Sequence, residues 1–280
     1  MDKKRLEKYA ELIVKSGLNV QKGQEVVVRC GLDQPEFVAM VVEELYKAGA
    51  ERVTMEWDYM PVTKLAYEYR SLESLSEFTE IAEAKLKRRA DKFSCLLWLD
   101  SEDPDGLNGT DHEKIAKARM AQYPFIKPYN DAIENKYQWC IAAVPGKEWA
   151  EKVFPGLPAD EAVEKLWEAI LDASRVDDDP VAAWDRHNKT LKERCAFLNE
   201  HRFDYLEYKS SNGTDFKVWL NEKGLFLGGA EKNLNNNIWY NPNIPSEEVF
   251  TSPLSGKAEG KVVATKPLSY QGKLIENFWV

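Results

Sequence analysis

The chain has 280 residues, of which 44% are apolar and 30% charged, enough for one large domain or two moderate ones. Its net charge of −9 disfavours nucleic acid as a partner, and no apolar run approaches the roughly 18 residues that a membrane span needs. The charged N-terminus MDKKRLEKYAE has no signal-peptide core, and three of the four cysteines lie in apolar runs typical of reduced thiols. We therefore expect a cytoplasmic protein that binds neither membranes nor nucleic acid.

The first 150 residues alternate between helical and strand patterns. Apolar side chains recur at helical spacing in residues 3–16, where we expect Gly17 to end the helix, and again in residues 35–46, before Gly49. The predicted strands are residues 25–30, 52–57, 95–99 and 138–144. Strands separated by helices at this spacing predict an α/β fold with a mainly parallel sheet flanked by helices.

The pattern changes in the second half of the chain. A helix should begin at Asp179 and Pro180, and its predicted apolar stripe consists of Trp184, His187, Leu191, Cys195 and Leu198. Beyond it, short alternating runs predict antiparallel strands at residues 205–208, 216–220, 261–268 and 273–280. We therefore assign residues 1–202 to an N-terminal α/β domain and residues 203–280 to an incomplete antiparallel β-rich second domain.

The three histidines do not form a recognisable zinc motif. His112 is followed by a glutamate, but Ala116 stands where the zinc-binding helix motif needs its second histidine. We interpret His112 as part of a helix start, His187 as a hydrogen-bonded helix-packing residue and His201 as part of a helix end. None of the three is predicted to bind a metal.

Motifs for nucleophilic catalysis and nucleotide binding are also missing from the sequence. The chain contains no Gly-x-Ser-x-Gly elbow, no Gly-x-Gly-x-x-Gly and no phosphate-binding Gly-x-x-x-x-Gly-Lys. The run of Gly213, Thr214 and Asp215 is interpreted as a tight turn in which Asp215 bonds the local backbone.

One loop has a composition suited to a divalent cation. The stretch NPNIPSEEVFTSP, residues 241–253, places Glu247 and Glu248 after Pro242 and Pro245. The prolines favour extended backbone before them, and adjacent residues of an extended chain point to opposite faces. One carboxylate can therefore face a cation while its neighbour faces away, and carboxylate oxygens are ligands that zinc accepts. An acidic pair on a surface turn is the alternative.

This loop resembles the metal-binding loop of the thermophilic aminopeptidase (M29) family of metallopeptidases, and the resemblance spans essentially the whole chain. The opening KYAELIVKSGLNVQKGQEVVV, the long stretch from residue 149 to residue 206, and the Gly228-Gly229 pair are similar to that family as well. The resemblance identifies residues 203–280 as the beginning of the family's metal-binding catalytic domain. It also implies that Glu248 is a metal ligand, with Glu247 as the second choice; catalytic residues are not identified.

The resemblance implies a cytoplasmic, homodimeric metallo-aminopeptidase, a hydrolase that removes N-terminal residues from peptides with two zinc or cobalt ions. Family chains run on past the point that corresponds to Val280, and the remaining ligands should lie there. The apolar ending KLIENFWV also looks like a cut, or like an edge that a partner covers. We therefore expect a C-terminally truncated chain without peptidase turnover of its own, and one open alternative is that it binds no metal.

Two other functions stay open from the sequence. The first is a non-catalytic scaffold or dimerisation domain derived from the same family. The second is a small-molecule-binding α/β protein of another class, which the missing phosphate-binding loop disfavours.

Overall fold

The structure is a computed structural model that describes residues 1–101 and 103–266, together with the backbone of residues 268–270 and 273–275. The chain forms two compact units. The first comprises Met1–Val181 and Ala230–Pro245, and the second comprises Ala182–Gly229 and Ser246–Val280. This division differs from the boundary expected near residue 202, because most of one long helix belongs to the second unit and a later segment returns to the first.

A five-stranded parallel sheet forms the centre of the first unit. Its strands stand in the order β2-β1-β3-β4-β9, and neighbouring strands are parallel throughout. The strands are β1 (Glu25–Cys30), β2 (Arg52–Trp57), β3 (Cys95–Asp100), β4 (Trp139–Ala143) and β9 (Asn243–Ile244). The four strands predicted from the sequence are confirmed, and β9 is an addition from within the glutamate loop.

Helices connect and cover these strands, as the sequence pattern indicated. They are α1 (Lys3–Leu12), α2 (Pro35–Lys47), α3 (Met60–Tyr69), α4 (Leu72–Ser76), α5 (Glu80–Lys92), α6 (His112–Ile133), α7 (Lys147–Val153) and α8 (Ala159–Ala173). Their N-termini show the expected capping chemistry: Asp2, Ser71, Thr79 and Asp111 each accept a backbone N–H from the first turn. None of the helices within the described residues is long and apolar enough to cross a membrane.

One face of the sheet is deeply buried in the core of the first unit. Alternate residues of β1 are buried there, including Val26 and Val28 with no exposed surface. Rings from three helices pack together in this layer: Tyr9 stacks on Phe37 at 5.5 Å, and the edge of Trp167 meets Phe37 at 5.0 Å between ring centroids. Aromatic side chains contribute the largest buried areas to a core, so this cluster anchors the helices to the sheet.

The end of the first helix differs from the prediction. Gly17 does not terminate it, because the chain continues as a π-helical turn over Ile13–Leu18 and ends at Asn19 in the left-handed conformation. A Cβ atom at Gly17 would lie 2.9 Å from Cys140 Sγ. Glycine is therefore required there by the close approach of the turn to β4 and not by a helix stop.

In the second unit, a long helix precedes antiparallel strands. Helix α9 (Pro180–His201) begins at the predicted proline, and its predicted stripe is confirmed, with Trp184, Leu191 and Cys195 buried. Strands β5 (Tyr205–Lys209), β6 (Asp215–Leu220) and β10 (Pro253–Lys261) form a sheet in the order β10-β6-β5. The short pairs are β7 (Glu231–Lys232) with β8 (Trp239–Tyr240), in the first unit, and β11 (Leu268–Tyr270) with β12 (Lys273–Ile275).

Two predictions in this region need correction. The strand expected at residues 261–268 lies earlier in the chain, because β10 ends at Lys261. The turn before β6 is tight as expected, with Gly213 at φ +96°, but Asn212 Oδ1 accepts the Thr214 N–H, whereas Asp215 belongs to the strand. Of the strand predicted at residues 273–280, β12 is present, and residues 276–280 lie outside the described part of the chain.

Candidate metal-binding loop

The first half of the glutamate loop, residues 241–245, belongs to the first unit. The backbone N–H of Asn241 donates to the carbonyl oxygens of Ser16 and Gly17 at 3.0 and 2.8 Å, and Asn241 Nδ2 donates to Ser16 at 2.8 Å. The last carbonyl groups of a helix lack donors within the helix, and Asn241 provides donors for two of them. Asn241 is buried, so the loop starts from a fixed point.

The second half of the loop, from Ser246 onwards, belongs to the second unit. Its carbonyl at Ser246 lies 2.7 Å from His187 Nε2 on α9. Four residues further on, Phe250 pairs with Leu227 through two backbone hydrogen bonds of 2.8 and 2.9 Å. Both ends of the segment between Ser246 and Phe250 are therefore tied to the rest of the second unit.

Glu247 and Glu248 lie between these two anchors, and both are exposed. Glu247 Oε2 is 3.9 Å from His187 Nε2. The carbonyl oxygen of Glu248 lies next to Gly228, where a Cβ atom would come within 2.5 Å of it. Both predicted residues are thus on the surface of an anchored loop, and the choice of Glu248 over Glu247 as the ligand stays a prediction.

The side chains that could bind a metal ion can be compared with the number of ligands that such an ion takes. An exposed carboxylate such as that of Glu248 fits as one oxygen ligand for a divalent cation. A catalytic zinc normally takes three protein ligands, and nowhere in the described part of the chain do three or more His, Cys, Asp or Glu side chains form a group that could hold a metal ion. The described residues therefore do not fit a complete metal centre, and no reaction step is assigned through a metal.

The remaining histidines have the structural roles predicted for them. His112 is the first residue of α6, behind the capping residue Asp111. His201 is the last residue of α9, and its Nδ1 lies 2.8 Å from the carbonyl oxygen of Phe197, one turn earlier. Neither contributes to the glutamate loop.

The cysteines are free and buried, which agrees with the prediction of reduced core thiols. Burial raises the pKa of Cys30 to about 11 and that of Cys95 to about 12, and it also raises the pKa of Cys140 and Cys195. All four therefore remain thiols near neutral pH, whereas nucleophilic attack and zinc binding both need the thiolate.

The sheet contains a second candidate ligand site, because open parallel sheets bind ligands where the strand order reverses. The chain passes from β1 to β2 on one side and returns to β3 on the other, so this point lies between the carboxyl ends of β1 and β3. Ser101 Oγ donates there to Asp33 Oδ2 at 2.7 Å, and the backbone of Gly146 packs against the carbonyl of Ser101. The hydroxyl of Ser101 and the carboxylate of Asp33 are bonded to each other, and neither contact favours the small-molecule-binding alternative.

The residues that hold the loop were the part of the site that sequence reasoning missed. The prediction of His187 as a hydrogen-bonded packing histidine is confirmed, but the sequence does not indicate that its partner lies in the glutamate loop. Gly228 is predicted only as part of a family-like glycine pair. The one available signal was the position of a histidine on an otherwise apolar helical stripe, where a buried imidazole needs a hydrogen-bond partner.

A helix-covered parallel sheet followed by an antiparallel unit with an anchored acidic loop defines a mixed α/β protein with a candidate metal-ligand segment. The family model for thermophilic metalloproteases (M29) matches residues 2–280, and the chain belongs to that family. Membership in a family of metalloproteases implies dependence on a divalent metal.

Similar proteins of known sequence and structure agree with this assignment. The chain is 38% identical over 276 residues to aminopeptidase AmpS of Bacillus subtilis (strain 168), covering 98% of this chain and 67% of the relative. It is 38% identical over 279 residues to aminopeptidase T of Thermus thermophilus, covering 99% of this chain and 68% of the relative. The solved structure of wild-type AmpT from Thermus thermophilus superimposes with a TM-score of 0.88 at 37% identity, over 98% of this chain and 68% of that one.

Proposed function

We propose that this chain functions as a metal-dependent aminopeptidase, which removes N-terminal residues from peptides, and that Glu248 supplies one ligand to the metal. The observation that carries the proposal is the Ser246–Phe250 segment, which is tied at both ends and presents an exposed carboxylate. Family membership and relatives that are aminopeptidases support the reaction class.

The finer parts of the proposal come from the family resemblance alone. They are a pair of zinc or cobalt ions, a homodimer, a peptide substrate and a cytoplasmic location. The expectation that this chain has no turnover of its own is not part of the proposal. The comparisons give that expectation no support, because the relatives align with 98–99% of the chain.

The test is hydrolysis of leucine p-nitroanilide by the purified chain, with added zinc or cobalt and with a chelator control. If this chain forms a complete site, we expect chelator-sensitive hydrolysis that Glu248→Gln lowers by at least about 100-fold, since even the residues behind a metal ligand cost 10–100-fold. The matched control is Glu193→Gln, an exposed glutamate on α9 whose loss should leave the rate unchanged.

Glu247→Gln decides between the two neighbouring carboxylates. If that variant loses hydrolysis and Glu248→Gln keeps it, the ligand assignment is wrong. Titration calorimetry with zinc gives a second readout that does not depend on turnover, because Glu248→Gln should weaken zinc binding and Glu193→Gln should not. A folded chain that neither binds zinc nor hydrolyses the substrate would contradict the enzymatic proposal and favour the scaffold or dimerisation alternative.

A further inference from the structure

We propose that His187 is a positioning residue, which fixes the Glu247–Glu248 pair by donating a hydrogen bond to the backbone next to it. The inference rests on the proposed function for its biological meaning, since it explains how the candidate ligand is held in place. Its physical content, the anchoring of residues 246–250 by one imidazole, can be tested without any activity.

The hydrogen bond defines which nitrogen of His187 carries a proton. Nε2 lies 2.7 Å from the carbonyl oxygen of Ser246, and a carbonyl oxygen can only accept. Nε2 must therefore carry the hydrogen. A protonated nitrogen has no lone pair for a metal, so this contact directs Nε2 of His187 toward the loop backbone and away from the role of a ligand.

The packing of the ring makes this donor rigid. The side chain of His187 is only 8% exposed. Its ring meets Trp184 edge to face, with centroids 5.4 Å apart and planes at 86°, and Trp184 itself has no exposed surface. A buried aromatic neighbour one helical turn away leaves the imidazole little rotational freedom. The donor is thus placed by the helix and not by the loop that it holds.

The later part of the segment is fixed by backbone contacts. A Cβ atom at Gly228 would lie 2.5 Å from the Glu248 carbonyl oxygen and 3.3 Å from the Val249 Cα atom, so the two stretches of backbone approach as only glycine allows. The next residues on the two stretches are Leu227 and Phe250, which exchange two backbone hydrogen bonds. The backbone of residues 246–250 is therefore held at Ser246 by the imidazole and from Glu248 to Phe250 by the Leu227–Gly228 backbone.

The two glutamates have different neighbours in this arrangement. Glu247 is the carboxylate beside His187, at 3.9 Å from Nε2, whereas Glu248 has its own carbonyl held against Gly228. A backbone fixed at both ends in this way leaves the Glu248 carboxylate available to an external cation and lowers the backbone-ordering cost of binding it. His187 acts through this backbone and not by contact with the metal.

The experiment separates the donor from the ring by two substitutions at the same position. His187→Phe keeps an aromatic ring against Trp184 but removes the donor, and His187→Gln removes the ring but keeps an N–H near the place of Nε2. His201→Phe is the matched control, because its histidine lies on the same helix and bonds only its own helix backbone. Amide hydrogen exchange of residues 227 and 250 is the readout, with thermal unfolding as a check on the fold.

We expect His187→Phe to speed exchange of the Phe250 and Leu227 amides by about tenfold, a ratio typical for the loss of one buried hydrogen bond. His187→Gln should stay within about threefold of the wild type, and His201→Phe should leave these amides unchanged. Unchanged protection in His187→Phe, or equal loss in both variants at position 187, would overturn the proposal. If His187→Phe does not fold, His187→Gln alone decides, because retained protection supports the donor and lost protection excludes it.

Failure of this inference and failure of the proposed function give different results. If the wild-type chain shows no zinc-dependent hydrolysis but the exchange pattern is as expected, the peptidase proposal fails and the anchoring stands. If hydrolysis is present and His187→Phe changes neither exchange nor zinc affinity by calorimetry, the positioning role fails alone. In an active chain, rescue of zinc affinity by His187→Gln over His187→Phe would support positioning by hydrogen bonding.

Discussion

The sheets of the two units are stabilised in different ways. In the first unit, every second residue of β1 is buried beneath helices, and rings such as Phe37 are 2% exposed. In the second unit, all nine residues of β10 are exposed, and β5 has no buried residue. Apolar burial therefore stabilises the first unit, whereas the second depends to a larger degree on individual hydrogen bonds and surface pairs.

The glutamate motif contains both kinds of stabilisation within one loop. Its first residue, Asn241, is buried in the first unit and uses the free carbonyls at the end of a helix. Its acidic pair is exposed in the second unit and depends on His187 and Gly228. A candidate ligand must be accessible to a cation, so its position has to come from backbone anchors and cannot come from burial.

The largest expected effect comes from removing a ring of the aromatic cluster in the first unit. Phe37→Ala should lower the free energy of unfolding by about 3–5 kcal/mol, the usual cost of deleting a buried phenylalanine ring together with the cavity it leaves. Phe37 contacts both Tyr9 and Trp167, so neither neighbour can refill the space alone. Urea denaturation followed by circular dichroism measures this change.

The matched control is Phe197→Ala in the second unit, whose ring is 56% exposed on α9. That variant should change stability by no more than about 0.5 kcal/mol. Similar losses in the two variants would contradict the difference in burial between the two units.

An intermediate effect is expected from one side-chain amide in the second unit. Asn199 Nδ2 donates to the Phe226 carbonyl at 3.0 Å, and Asn199 Oδ1 accepts the Phe226 N–H at 2.8 Å. Asn199→Ala leaves both partly buried backbone groups without these bonds and should cost about 1–3 kcal/mol. Amide exchange at Phe226 together with urea denaturation gives the measurement, and Glu200→Ala, at an exposed neighbouring position, serves as the control. Loss of protection in both variants would point to general fraying of α9 instead.

The fold could be predicted from the sequence where the apolar periodicity is strong, and the prediction failed where the periodicity is weak. Strands β1 to β4 of the parallel sheet follow short apolar runs, so their positions could be predicted closely, whereas the two-residue strand β9 could not. The stretch that forms β10, PLSGKAEGK, contains small and charged residues without alternation, and only pairing with β6 makes it a strand. The role of Gly17 could not be predicted, because the residue that it approaches, Cys140, is more than a hundred positions away in the chain.

The candidate site was predictable only in part, for the same reason. The acidic pair is visible in the local sequence, whereas the choice of Glu248 as the ligand comes from the family resemblance and stays a prediction. Its anchors could not be found, because His187 and Gly228 reach the loop through tertiary contacts between segments about 20–60 positions apart in the chain. Local patterns indicate which residue can bind, whereas the fold decides how it is held.

The smallest expected effect tests whether surface pairs contribute measurably to the exposed sheet. Lys217 Nζ lies 3.6 Å from the Tyr205 ring centroid and 4.7 Å from that of Trp219, and it is 3.8 Å from Glu207 on the neighbouring strand. Lys217→Met keeps the length and apolar stem of the side chain but removes the charge, and should cost about 0.5–1 kcal/mol, as cation–π contacts at exposed sites do.

The control for this pair is Lys209→Met, which removes only an exposed ion pair with Asp215, 3.9 Å long on the same two strands. That change should be within about 0.5 kcal/mol, and it should shrink further in 0.5 M salt because exposed ion pairs are screened. The contact of a cation with an aromatic face persists better in salt, since the ring excludes water from one side of the charge. If Lys217→Met and Lys209→Met have equal and equally salt-sensitive effects, the aromatic contact contributes nothing. The sheet of the second unit would then depend on its backbone ladder alone.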